Sequence, residues 1–170
     1  MTLDLIRAPA LTRAFVETVP AALVNERGAA GNLNQATYYL VRVPGTKPLV
    51  VTTATWYVGA AAGNVDAGIG TISGTTFTLL GSTGATAASG TNARQSAALT
   101  SAVVLTPDTD YYIALSVSNV ATLTLGRFVN LNALFGIDCY YKASEQPLTS
   151  GVTVSAGTNS VNLIPWVRLS

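Results

Sequence analysis

Eight acidic side chains, nine basic ones and no histidine are the charged groups this chain has for chemistry. Asp66 stands out among them. It lies in "TWYVGAAAGNVDAGIG", residues 55–70, where alternation puts a carboxylate in mid-strand on the face opposite Val65 and Ala67. A carboxylate in that position must find donors or water. With Asn64 and a loop carbonyl it offers too few oxygens for calcium, which takes about six to eight, so a structural hydrogen bond that ties down the turn is expected. Asp108 and Asp110 form the other close acidic pair. In "LTPDTDYY" they read as turn formers after Pro107, because a general acid and base need environments that separate their pKa values. Glycoside cleavage would need two of these three carboxylates to face each other across a cleft.

Nucleophilic chemistry fares no better. A serine wants a general base, and Lys47 and Lys142 stand in no Ser-x-x-Lys setting. Cys139, the one cysteine, has no imidazole partner and reads as a small buried hydrophobe. A zinc site loses its usual ligands in a chain without histidine. "GNVDAG" lacks the Lys-Ser/Thr and the helix of a phosphate loop, which leaves a tight turn at "AAGN" and then small residues that permit close packing. No catalytic activity, cofactor or metal is expected. Trp56, Tyr57, Tyr140, Tyr141 and Trp166 could stack on sugars, although strand aromatics usually serve as core or cross-strand pairs. Arg94, Arg127 and Lys142 carry too little positive charge for a nucleic-acid groove.

The elements that must position these residues are strands. Charged residues make up only 10% of the chain and hydrophobic ones 49%, at a net charge of +1, so no basic stripe or acidic tail is present. Thr, Ser, Ala and Gly fill the places that Lys and Glu would hold on surface helices. Eight runs alternate between turn residues: "TYYLVRV", "PLVVTTATWYVG", "NVDAGIGTIS", "TFTLLGST", "QSAALTSAVVL", "DYYIALSVSN", "ATLTLGRFV" and "SVNLIPWVRL". They predict an all-β antiparallel sandwich or barrel over residues 36–170. "PLVVTTATWYVG" needs a bulge or a change of sheet at its threonines to turn both Val51 and Trp56 inward. In "DYYIALSVSN", Tyr111, Ile113, Leu115 and Val117 form a core face, and Tyr112, Ala114, Ser116 and Ser118 a face that tolerates water.

Residues 1–35 keep no steady period and read as an extended arm whose apolar side chains, Leu5, Ile6, Leu11, Phe15, Val16 and Val19, contact a partner. The arm carries Asp4, Arg7, Arg13 and Glu17, so it reads as neither signal peptide nor membrane span, and folding in the cytoplasm is expected. The loops "GSTGATAASGTNAR" and "KASEQPLTSGVTVSAGTNS" are too rich in small polar residues for a core of their own and read as contact surface.

Residues 56–119 join a "YVG" turn, "GNVDAGI", a "GSTG" loop and "LTPDTDYYIALSVSN". This succession resembles a module that recurs in virion proteins of tailed bacteriophages, with weaker continuation to "PWVRLS". The resemblance implies a jelly-roll-like sandwich on the virion surface. The function implied is a capsid decoration or cement protein, and the partners implied are the major capsid protein and copies of itself in a homotrimer. The alternative it implies is a tail-fibre or baseplate domain that binds host-surface glycan through residues 81–94 and 142–160.

Overall fold

The computed structural model describes residues 15–18, 30–31, 37–44, 48–118, 124–129, 139–143, 147–154 and 163–170. These residues form two antiparallel sheets in a sandwich-like arrangement. No helix among them is long and apolar enough to cross a membrane.

The first sheet is built on β4 (Leu49–Ala60), a run of Val, Thr and aromatic residues suited to a pleated, half-buried surface. Along one side of β4 lies β8 (Thr91–Leu105); along the other lie β14 (Val167–Leu169) and β10 (Thr124–Val129). β1 (Val16–Glu17) extends this sheet beyond β14, and β2 (Ala30–Gly31) and β13 (Leu163–Pro165) pair with β10. The second sheet runs in the order β11 (Cys139–Ala143), β3 (Thr37–Pro44), β9 (Asp110–Val117), β5 (Asn64–Ser73), β6 (Thr76–Ser82), β12 (Val152–Thr153). A short β7 (Thr86–Ala87) pairs with the start of β5. Each of the eight expected runs contains a strand, and "SVNLIPWVRL" is split at Trp166.

Between the sheets lies the main core, with Tyr39, Trp56, Val65, Ile69, Leu105, Ile113, Leu115 and Leu125 among its buried members. The expected bulge in β4 is present. Thr52 N and Thr53 N both donate to Ser170 O, at 2.8 and 2.9 Å, so two residues of β4 stand opposite one, and across the other edge residues 99–102 of β8 stand opposite Thr52. The irregularity shifts the inward positions from Val51 to Ala54, Trp56 and Val58, which keeps both ends of the strand in the core.

One expectation about β9 fails. Tyr112 is 8% exposed and Ala114 and Ser116 are fully buried, so the face expected to tolerate water is covered. A second cluster sits there, formed by Tyr38, Leu40, Phe77, Tyr112 and Ala114 together with Leu148 and Val154. The last two belong to the loop expected to be contact surface. Residues 147–154 instead form a strap over the outer face of the second sheet, where β12 pairs with the edge of β6 and Gly151 and Val154 donate to the carbonyls of Phe77 and Thr75. A loop of small polar residues can do this because two well-placed apolar side chains are enough to seal the face.

Part of the segment before residue 36 is bound within the chain. Thr18 is 6% exposed; its hydroxyl donates to Pro165 O at 2.8 Å and accepts from Val167 N at 3.1 Å, while its amide donates to Val167 O. The clamp lies where the chain changes direction. β13 runs antiparallel to β10, while β14 and β10 are both antiparallel to β4, so the chain must turn at Trp166. Thr18→Val keeps the shape and leaves a buried N–H and C=O without that partner. It is expected to lower the unfolding free energy by about 1–2 kcal/mol, which urea denaturation would measure.

Candidate functional site

Two groups of polar side chains remain once the core is accounted for, one on the outer face of each sheet. On the second sheet, the register puts Tyr38, Ser116 and Asp66 in one cross-strand row over β3, β9 and β5. The next row is Leu40, Ala114 and Gly68, and the third includes Tyr112 and Gly70. Asp66 therefore has small neighbours on its own strand, and β6 closes in over them. A Cβ at Gly68 would strike the Gly81 carbonyl, and one at Gly70 would strike the Thr78 carbonyl and the Phe77 ring. The glycines of "NVDAGIG" serve this close approach.

Asp66 is fully buried and turned outward, away from the main core that Val65 and Ala67 enter. Its Oδ2 accepts from Leu148 N at 2.9 Å and its Oδ1 from Thr83 Oγ1 at 3.3 Å. Thr83 Oγ1 also accepts from Ala67 N at 3.1 Å, and Ser82 Oγ accepts from Gly84 N at 3.2 Å. Beside this, Tyr38 donates through its hydroxyl to Pro147 O at 2.5 Å. The carboxylate thus holds two pieces of backbone, the turn after β6 and the strap. The turn it holds, residues 82–84, is not the "AAGN" turn expected from the sequence, and the strap contact, 82 residues away in sequence, was not legible either.

Burial pushes the Asp66 carboxyl above the ordinary carboxylate range, and donors from Leu148, Ser82, Thr83 and Gly84 offset this in part. The folded chain therefore binds this proton more tightly than the unfolded chain does. The stability it contributes is fully present below the unfolded pKa, about 3.9, and is lost as pH rises through the raised folded value. Relative to Asp66→Asn, the wild type is expected to lose stability over that rise, a trend that thermal midpoints of both proteins across an acid-to-neutral series would reveal. A flat difference would contradict it.

The other acidic residues lie elsewhere. Asp110 pairs with Arg42 at 2.7 Å on the surface, and Asp108 takes φ 57 in its turn, the left-handed conformation that aspartate tolerates. Ser116, the neighbour of Asp66, is six residues along β9 from Asp110, or about 20 Å. That spacing exceeds what a pair of glycosidase carboxylates spans. Among the described residues no group of three or more His, Cys, Asp and Glu side chains is placed to hold a metal ion.

On the first sheet, Arg168 lies over the Phe15 ring at 4.2 Å and near the Trp166 ring at 5.6 Å, while Arg94 approaches Trp166 at 5.4 Å. Arg168 also meets Glu17 at 3.3 Å. Phe15 and Val16, expected to contact a partner, are half-buried in this assembly, Phe15 under Arg168 and Val16 against the main core. Leu5, Ile6, Leu11 and Val19 lie outside the described residues. The alternation of Trp166 and Arg168 in "PWVRLS" was a readable sign that both share a face; their pairing with Arg94 and Phe15 was not. Trp56 and Trp166 are buried, so neither ring presents an open face. Lys47 and the side chains of Arg127, Cys139, Tyr140, Tyr141 and Lys142 are outside the described part of the structure.

What these arrangements do chemically is hold polypeptide. The carboxylate and the guanidinium groups fasten the strap, the turn after β6 and β1 onto the sandwich. Compared with models of protein families, with curated proteins and with solved structures, the chain matches none of them.

Proposed function

We propose that this chain is a structural protein of the bacteriophage virion surface, a capsid decoration or cement protein that binds the major capsid protein and stabilises the head. The observation that carries the reading is where the resemblance falls. Residues 56–119, the run similar to phage virion modules, comprise the second half of β4 and the whole of β5, β6, β7, β8 and β9. That is one continuous structural unit with strands in both sheets, including β4 and β9, each flanked by strands on both sides. The surface fits the same role. Ser96, Ala98, Val104 and Val50 are exposed on the first sheet, and these uncharged side chains, beside Arg94 and Arg168 gathered at Trp166, lose little solvation when buried against another protein. A protein that binds only the assembled shell shifts the equilibrium towards it.

Co-sedimentation of the recombinant chain with purified heads of the phage that encodes it tests this reading. Saturable binding, lost on removal of residues 1–14, is expected. Removal of residues 1–30 is a poor probe, because it also takes away Thr18 and β1 and so attacks the fold. Folded chain that stays in the supernatant with intact heads would count against decoration.

A further inference from the structure

β8 has β4 as its one strand neighbour among the described residues. Its far edge is closed near its end, where Ser101 Oγ donates to Leu80 O at 3.4 Å and Gly81 sits against Val103 and Ser101. Two irregularities bound what is left: Asn92 takes φ 51 at the start of the strand, and residues 99–102 bulge opposite Thr52. Between them lies a regular window, residues 93–98, with the sequence Ala-Arg-Gln-Ser-Ala-Ala. An open edge presents backbone donors and acceptors at every second residue, and proteins usually guard it with lysine, proline or inward charge. This window has none of these. Its one charged group, Arg94, is drawn aside over Trp166.

We propose that two copies of the chain pair through this window, antiparallel about a two-fold axis, so that the first sheet continues from one copy into the other. An antiparallel edge meets its own copy with donors facing acceptors, which makes a second copy the natural occupant. The register follows from the faces. Arg94, Ser96 and Ala98 are exposed on the outer face, while Ala93, Gln95 and Ala97 are half-buried on the other. Residues directly opposite share a face, so the axis passes through a residue rather than between two. Centring on Ser96 sets Arg94 opposite the partner's Ala98 and keeps the two arginines about 13 Å apart, beyond the screening length of roughly 8 Å in physiological salt. Centring on Gln95 would make the arginines diagonal neighbours, where like charges repel. The contact is small, so association on the order of 10 µM or weaker is expected.

Sedimentation velocity from low to high micromolar concentration tests the pairing without any virion component. A monomer–dimer equilibrium is expected, weakened at least tenfold by Ala98→Lys. Oxidised Ser96→Cys should give a covalent dimer through the introduced thiols, identified by peptide mass spectrometry with Cys139 left in place; Val50→Cys, on the same sheet but off the edge, should not. A chain monomeric throughout would overturn the proposal, as would a dimer indifferent to Ala98→Lys that fails to cross-link through Ser96→Cys. A trimer would overturn it too, and would leave the virion reading standing.

Discussion

Gly70→Ala is expected to lower the unfolding free energy by about 3 kcal/mol, the upper part of the range for an overpacked site. Gly70 faces outward on β5 beneath the Phe77 ring, at the register shift where Ile69 pairs with Gly81 and Gly70 with Leu79. The added Cβ would meet both that ring and the Thr78 carbonyl. The ring can tilt. The carbonyl belongs to the β5–β6 ladder and cannot retreat without loosening it, so the strain spreads into the cluster that the strap covers. Gly74 provides the control. It takes φ +59 in the turn between β5 and β6 with nothing within 4 Å of a built Cβ, so alanine there carries only the backbone penalty, about 1 kcal/mol. Urea midpoints of the two variants should differ clearly, with Gly70→Ala the lower. Equal midpoints would mean that β6 does not close over β5 as described.

Asp66→Ala is expected to lower stability by about 2 kcal/mol and to loosen one region first. Alanine strands the Leu148 amide, while the Thr83 hydroxyl keeps the Gly84 carbonyl at 3.0 Å. Relief of the buried charge offsets part of the loss, which is why the figure is not larger. The effect should appear locally, because the strap's remaining ties are the short ladder to β6, the contacts of Tyr38 and Ser150, and the packing of Leu148 and Val154 on the outer cluster. Hydrogen exchange is therefore expected to quicken at Leu148, Gly151 and Val154 while the β9 amides stay protected. Uniform loss of protection would show instead that the strap and the sandwich unfold as one unit. Asp66→Asn, which keeps an acceptor for Leu148, should fall between alanine and wild type.

The strands were legible because their signal is local. Alternation bounded by glycine, proline and aspartate marked "NVDAGIGTIS" from Asn64 to Ser73, the bounds β5 has. The bulge in β4 was legible for a related reason, since Val51 and Trp56 cannot both face inward on an unbroken strand of period two. What could not be read was anything that joins distant segments. Leu148 in "EQPLTSG" looks like a lone apolar residue in a polar loop, and only the folded chain puts it on the Tyr112 face. Thr18 likewise carries no local sign that its hydroxyl bridges residues 147 and 149 positions away. Of the missed strands, β1, β2, β7 and β12 are two residues long, too short for a period to register, and β11, "CYYKA", has five residues without an alternation. Asp66 lay between these cases: alternation placed it on the outer face, and the donors that bury it came from a segment the pattern could not connect.

The proposed decoration role is tested most directly by electron cryomicroscopy of tailed-phage particles assembled in the presence of this chain, with a search for the chain in the map. Two-sheet sandwich density on the outside of the head shell is expected, with the segment before Phe15 running towards the major capsid protein. Density for the chain confined to the tail, or particles purified without it, would contradict the decoration role.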